Sequence, residues 1–177
     1  MKKYTVRVLS LLIVAILSVT ALSACNSTPP DNSTDTTEAP AYRDDIAVSD
    51  LDAAIQQKLP VPDGYYSPDS DYLGFYFEGA EGIVTEYVIQ ISATSTNINQ
   101  FGIFHVKDGE AETMKALCES YIETMNKRWV AQANYIASEH PKMEGAEVRI
   151  FGNYVVYTML TKDDKATAFD TVKAALK

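Results

Sequence analysis

The sequence predicts an α+β fold in which an antiparallel sheet of about four strands is covered on one face by a long central helix and a C-terminal helix. Two observations lead to this fold. Apolar and polar residues alternate in two pairs of segments, as in half-buried strands, and apolar residues recur at helical spacing in two longer segments. These segments lie within residues 46–177, which is enough for one compact domain.

The first 24 residues have the layout of a secretory signal peptide. Lys2, Lys3 and Arg7 form a positive region, and an apolar run over residues 8–21 follows it. This order of charge and apolar run is typical of exported proteins. The run is too short for a comfortable membrane span, which needs roughly 20 apolar residues.

The run ends at Leu22-Ser23-Ala24-Cys25, which resembles the lipobox of bacterial lipoproteins. Small side chains precede the cleaved bond, between Ala24 and Cys25, and the thiol receives the lipid. We therefore expect Cys25 to be the lipidated first residue of the mature protein, at the outer face of the bacterial cytoplasmic membrane. The alternative is a plain signal peptide, or an uncleaved anchor, with an accidental cysteine.

Residues 25–45 are rich in Ser, Thr, Pro and Asp and nearly lack apolar residues. Such a segment buries too little surface to offset the entropy of ordering, so we predict a disordered tether. Twenty residues of this kind have a typical reach of about 25 Å. The tether would hold the domain 46–177 above the membrane, within reach of a target.

The charge balance excludes some partners. The chain has 15 basic and 24 acidic residues, and removal of the three basic residues of the leader shifts the net charge from -9 to -12. This charge opposes binding to nucleic acid. Cys118 is the second of the two cysteines, so with Cys25 lipidated no intramolecular disulfide is expected.

A short helix is predicted from Ser49 to about Lys58. Ser49 can cap this helix, three leucine or isoleucine residues share one stripe, and prolines follow. Residues 61–70 have the composition of turns. Residues 71–77 form an aromatic segment whose state the pattern leaves open, although the aromatic spacing favours one or two helical turns.

Residues 86–93 and 101–107 are the first predicted pair of strands, joined by a polar turn. In the second of these strands, Phe104 and Val106 lie on one face, and Ile103, His105 and Lys107 lie on the other.

Asp108-Gly109-Glu110 starts the longest predicted helix, which runs to about Ala133 and has acidic residues in its first turn, where the helix dipole favours them. Its apolar residues recur at i, i+3, i+4 and i+7, and we expect this stripe to be the main wall of the core. The stripe comprises Met114, Leu117, Cys118, Tyr121, Ile122, Met125 and Trp129.

Residues 147–151 and 154–160 are predicted to form a hairpin around Gly152-Asn153. A last helix is predicted to begin with Asp163 or Asp164 as its cap. In the hairpin, Val148, Ile150, Val155, Tyr157 and Met159 would share one face, and Arg149, Phe151, Tyr154, Val156 and Thr158 the other.

Several of these features together resemble a known family. They are the strand end Val106-Lys107-Asp108, the long helix, the hairpin tip Gly152-Asn153-Tyr154 and the Asp-rich start of the last helix with Phe169. The chain is similar in them to the bacterial lipoprotein family built on the domain of unknown function 4358. The resemblance covers about 46–177 and is strongest after residue 100. It implies an envelope domain without established activity and without catalytic residues to transfer.

The cysteine and the histidines of the domain give little indication of a catalytic or metal site. Cys118 lies within an apolar stripe, whereas a nucleophilic thiol needs an exposed, electropositive setting, so we expect a buried structural thiol. His105 and His140 are the only histidines, and neither shows metal-ligand spacing. We expect both to be ordinary surface side chains.

The pairs of acidic residues also give little indication of a calcium site or of a catalytic carboxylate pair. Asp69 with Asp71 and Glu110 with Glu112 lack the spacing of a calcium loop, so solvated charge is the better interpretation. The sequence contains neither a Gly-rich phosphate loop nor a GxSxG motif. It therefore predicts no catalytic residues, no metal and no cofactor.

Tyrosine is the one compositional excess, since nine of the 11 tyrosines follow residue 45. Most should fill the core, because tyrosine pairs well across strands. If helices cover only the more apolar sheet face, the other face offers a mixed aromatic and polar surface of the kind that partners use. The residues of this candidate partner surface are Ile103, His105, Phe151, Tyr154, Val156 and Thr158.

Two functions remain open at this level. The first is a non-enzymatic module, bound to the membrane through lipid on Cys25, that binds an envelope protein or a cell-wall component. The second is a small envelope hydrolase or transferase that uses carboxylates, which sequence motifs detect poorly. A simple spacer is also compatible with the sequence.

Overall fold

The computed structural model describes residues 41–61, 63–130 and 137–177. The signal peptide, Cys25 and most of the tether lie outside these residues, so the leader and the lipidation stay predictions. Within the described ranges, none of the helices combines the length and the apolar character that a membrane span requires.

One antiparallel sheet runs through the described part of the chain. Its strands are β1 (Tyr65–Tyr66), β2 (Val84–Ser92), β3 (Gln100–Val106), β4 (Glu147–Phe151) and β5 (Tyr154–Met159). The spatial order is β1-β2-β3-β5-β4, so β3 and β5 join two hairpins at the centre. The predicted α+β class is confirmed, and the addition to the predicted four strands is the two-residue β1 at one edge.

Helices pack on both faces of this sheet, so the predicted cover on one face only is wrong. The described helices are α1 (Val48–Lys58), α2 (Asp71–Tyr76), α3 (Ala111–Val130), α4 (His140–Glu144) and α5 (Lys162–Ala175), with 3-10 turns at Ala80–Gly82 and Ala137–Glu139. The central strands β3 and β5 are buried along almost their whole length. Because apolar side chains point to both sides of these strands, each side needs its own helical cover.

The face beneath α1 and α5 is named the closed face. Its residues come from both helices and from the central strands, and they form one continuous apolar cluster. The largest contributors are Leu51, Ile55, Phe101, Ile103, Phe151, Tyr154, Val156, Phe169, Val172 and Leu176. Phe169, Val172 and Leu176 of the last helix pack into this cluster.

The face beneath α2 and α3 is named the groove face. It contains the predicted stripe of α3, packed on the side of the sheet that the alternation predicts to be more apolar. Its main members are Leu73, Phe77, Ile89, Phe104, Val106, Met114, Cys118, Tyr121, Met125, Val155, Tyr157 and Met159.

The start of α1 differs from the prediction. Ala47 occupies the N-cap position, and Ser49 lies inside the helix without capping it. A backbone N–H group in the first turn of α1 is instead bonded to a side chain of β2. Glu86 Oε2 accepts the Val48 N–H at 3.1 Å. Residues 71–76 are helical, as their aromatic spacing favours.

The C-terminal part follows the predicted register but not the predicted cap. Phe151 pairs with Tyr154 across the hairpin turn, as expected. Thr161, rather than Asp163 or Asp164, is the N-cap of α5, and its Oγ1 accepts the Asp164 N–H at 3.2 Å. The same hydroxyl donates to Asp164 Oδ2 at 2.7 Å, so the Asp164 carboxylate orients the capping hydroxyl.

Candidate functional site

The candidate partner surface predicted from the sequence is buried. Ile103, Phe151, Tyr154, Val156 and Thr158 are at most 4 % exposed, because α1 and α5 cover this side of the sheet. The side chain of the sixth member, His105, is 18 % exposed. The prediction failed because it left this face without a helix, and these residues instead form the closed face.

Cys118 and His140 are not placed for chemistry. Cys118 is fully buried under the groove face, as predicted, and burial followed by the nearby Glu119 raises the pKa of its thiol. The thiolate form of Cys118 is therefore disfavoured. His140 lies at the start of α4 and its Nε2 is buried. Within the described residues, no group of three or more His, Cys, Asp or Glu side chains could hold a metal ion.

A groove of about 230 Å³ opens at the edge of the groove face, between β1, the turn after β2 and the end of α3. Its lining is uncharged and carries two aromatic side chains, Tyr66 and Trp129. Tyr66 is 50 % exposed, so its ring forms part of the rim. The remaining lining residues are Ile91, Ser92, Thr94, Ser95, Asn97, Ile98 and Gln100.

Gln100 connects the groove to a buried chain of tyrosines. Its Nε2 donates to the Tyr157 hydroxyl at 2.6 Å and to the Tyr121 hydroxyl, which in turn lies 2.7 Å from the Tyr72 hydroxyl. Both N–H groups of the amide are thus in use. Among the described residues no group donates to Oε1, so this is the atom of Gln100 that can accept from a ligand.

Burial keeps these tyrosines neutral. It is the first cause that raises the pKa of Tyr157 well above its ordinary value, and it also raises the pKa values of Tyr121 and Tyr72. Neutral hydroxyls can accept from Gln100 and still donate one proton each. The network therefore holds the amide of Gln100 in one orientation at the inner end of the groove.

The turn that forms the other side of the groove is held by a shielded ion pair. Lys142 Nζ lies 2.7 Å from Glu139 Oε2, and both side chains are less than 14 % exposed. The same Glu139 oxygen accepts the Ile98 N–H at 3.0 Å, and Lys142 donates to Asn97 Oδ1 at 3.2 Å. Asn97 Oδ1 also accepts the Asn99 N–H at 2.9 Å, so the amide N–H groups of Asn97 are the part of that side chain left for a ligand.

A second polar cluster joins the N-terminal segment to the sheet. Residues 41–46, named the strap, pack on the hairpin and on the end of α5: the Tyr42 ring meets Phe151 edge-on at 5.6 Å, and the Arg43 N–H donates to the Leu176 carbonyl at 2.8 Å. Contacts with the domain therefore begin at least at Tyr42, upstream of the predicted boundary at residue 46.

Within the strap, Asp44 Oδ1 lies 2.9 Å from His105 Nε2, and His105 Nδ1 lies 2.9 Å from Thr85 Oγ1. A carboxylate, an imidazole and a hydroxyl in a row are the components of a nucleophilic triad. The Thr85 hydroxyl also lies 3.0 Å from the His105 carbonyl, so its single proton has two acceptors on the same residue and is not committed to the imidazole. The row thus fixes the strap to β3, and His105, predicted to be a surface side chain, is a partly buried link.

Comparison with known proteins finds a family model that matches part of the chain. Residues 75–160 match the family model described as Domain of unknown function (DUF4358). The match supports a family built on this domain. The chain has no significant match among curated proteins or among solved structures.

The DUF4358 match runs from the last two residues of α2 to the residue after β5. It therefore includes most of the groove lining and, from the tyrosine network, Tyr121 and Tyr157, but it includes neither Tyr66 nor Tyr72. Sequence reasoning missed this site. One signal was present: Gly102 lies inside β3, and a glycine inside a strand often marks a close approach by another group. A Cβ at Gly102 would overlap the ring of Tyr157, so the glycine makes room for the ring that holds Gln100.

Proposed function

We propose that this protein is a lipid-anchored, non-catalytic binding module of the bacterial cell envelope, and that the groove is its ligand site. The leader and Cys25 support the location, and the tether supports a target close to the membrane surface. The observation that carries the proposal is the groove itself, an open and uncharged site with aromatic walls.

The groove has the properties of a preformed binding site. Gln100 is held by two tyrosine hydroxyls, and Asn97 is held by a lysine and a backbone amide. Because these amides are fixed before a ligand arrives, binding does not carry the cost of ordering them. A few fixed polar groups among apolar and aromatic walls are typical of ligand pockets.

The alternative of a carboxylate-dependent hydrolase or transferase gains no support from the groove, since none of its lining side chains is an acid. Aspartate and glutamate are the groups that such a mechanism needs beside the substrate. We therefore favour binding.

The anchor can be tested by Cys25→Ala. The wild-type chain should incorporate labelled palmitate and sediment with membranes, because two or more acyl chains hold a protein durably at a bilayer. The variant should lose the label and leave the membrane pellet. Equal labelling of both chains would contradict anchoring at Cys25.

The binding role can be tested with purified, protein-free cell-wall material. The full-length protein, kept in a detergent without a sugar headgroup, should sediment with this material, and Tyr66→Ala should reduce the sedimented fraction. Phe75→Ala is the matched control, since Phe75 is also an exposed aromatic, at 78 %, but lies outside the groove. Sedimentation that is absent, or equal in both variants, would argue against the groove as the contact site.

A further inference from the structure

We propose that the groove binds one ring of a neutral saccharide, with the sugar ring against Tyr66 or Trp129 and its hydroxyls on Gln100 and Asn97. The inference rests on the proposed binding function and names the ligand class. It follows from the charge, the hydrogen-bonding pattern, the walls and the size of the groove.

The charge of the site disfavours anionic ligands. None of the groove's lining side chains is charged. Among the charged groups that contact the lining residues, Lys142 and Glu139 neutralise each other at 2.7 Å, and the Asp63 carboxylate accepts from the Thr94 hydroxyl. A phosphate or a carboxylate would lose its hydration without meeting an uncompensated positive charge, which is costly. An uncharged ligand avoids this cost.

The polar atoms of the site call for groups that both donate and accept. Gln100 offers the acceptor Oε1, and Asn97 offers amide N–H donors. Sugar hydroxyls meet this mixture, because each hydroxyl can donate once and accept twice.

The walls suit the apolar side of a sugar ring. A pyranose carries its hydroxyls around the edge and presents C–H groups on its face, and such a face packs on an aromatic ring. Tyr66 and Trp129 both line the groove, and Tyr66 remains half exposed for this contact. Aromatic rings provide a large contact area at low entropic cost.

The volume limits the ligand to about one ring. At about 230 Å³ the groove is smaller than the roughly 300–1,000 Å³ of pockets for drug-sized molecules. A dinucleotide or a folded peptide exceeds it. A single ring of a longer glycan fits, because the open side lets the chain continue into solvent.

Trp129 allows a direct test, since it is the only tryptophan of the chain and it lines the groove. Its fluorescence in the full-length protein is titrated with chitotriose and with maltotriose. Both sugars are neutral, but chitotriose has the N-acetylated rings of cell-wall glycans, and maltotriose stands for free nutrient sugars. Trigalacturonate, a negatively charged trisaccharide, tests whether the site prefers a charged sugar. A capped trialanine peptide tests the alternative that a peptide binds as an additional strand beside β1. Saturation-transfer NMR of each probe is the second readout.

We expect a saturable change in Trp129 fluorescence with at least one neutral sugar. The sugar that binds more tightly shows whether the natural ligand is a cell-wall glycan or a free nutrient sugar. Tyr66→Ala should weaken the affinity by about ten-fold, the upper end of one aromatic contact, while Phe75→Ala leaves it unchanged. Binding only of trigalacturonate or of the peptide would overturn the saccharide assignment. The assignment would also be overturned if none of the four probes bound by either fluorescence or NMR.

The two proposals fail separately. If cell-wall material retains the wild-type protein through Tyr66 while no sugar binds, only the ligand class is wrong. If neither the material nor any probe depends on Tyr66, the groove is not the binding site.

Discussion

The two faces of the sheet differ in what they bury. The closed face is a mainly apolar cluster under α1 and α5, in which the Tyr154 hydroxyl donates to the Ile46 carbonyl at 2.6 Å. The groove face buries three linked tyrosine hydroxyls and an amide, and it opens at the edge of the sheet. The first arrangement suits stability, and the second positions polar groups for a ligand.

This difference teaches where to look for function in a domain without a reactive centre. A buried polar network stabilises a protein less than an equivalent apolar packing unless every group is satisfied. A network that leads to a preformed opening therefore suggests a use beyond stability. The predictions below separate the two faces by their effects on stability and on binding.

The largest effect is expected on the closed face. Phe151→Ala should lower the free energy of unfolding by about 3–5 kcal/mol, because it leaves a cavity between β4, α5 and the strap. Phe75→Ala, at a highly exposed position, should change it by less than about 0.5 kcal/mol. Urea unfolding of the full-length chain measures both. A small loss for Phe151→Ala would mean that this residue is exposed after all.

An intermediate effect is expected at the boundary between stability and binding. Gly102→Ala should cost about 1–3 kcal/mol, since the new methyl group would displace the Tyr157 ring. It should also weaken ligand binding, because Tyr157 holds Gln100. Gly82→Ala is a control, as nothing lies near its added methyl group. Unchanged binding in a folded Gly102→Ala protein would separate the tyrosine network from the groove.

A smaller, pH-dependent effect is expected from the buried tyrosines. Burial raises the pKa of Tyr157 and of Tyr121 above the ordinary value of about 10, so these hydroxyls ionise in the unfolded chain first. Stability should thus be constant with respect to these groups below pH 10. Above it, stability should fall by about 1.4 kcal/mol per pH unit for each group.

Chemical unfolding at several pH values between 8 and 11 measures this slope. Tyr157→Phe should flatten it, whereas Tyr87→Phe, at a more exposed position, should not. A slope that Tyr157→Phe leaves unchanged would contradict the buried, neutral state of this tyrosine.

Local pattern predicted most of the elements. Alternation located β2 and β3, and the Gly152-Asn153 turn fixed the register in which Phe151 pairs with Tyr154. Helical spacing located α3 and its buried stripe. These features depend on neighbours in sequence, which a pattern can show.

Features that depend on distant residues were missed. The cap of α1 comes from Glu86 across the fold, and the second covered face depends on α1 returning to pack beside α5. The groove combines Tyr66, Gln100 and Trp129 from three separate elements. No local periodicity brings these side chains together, although the glycine at position 102 indicated a close approach inside a strand.

Hydrogen–deuterium exchange of the full-length protein, with and without soluble cell-wall glycan fragments, tests the central claim most directly. It compares both faces in one measurement. Binding at the groove should slow exchange of the amides over residues 92–100 and leave α1 and α5 unchanged. Protection over α1 and α5, or no protection at saturating fragment concentration, would contradict the assignment of the groove as the binding site.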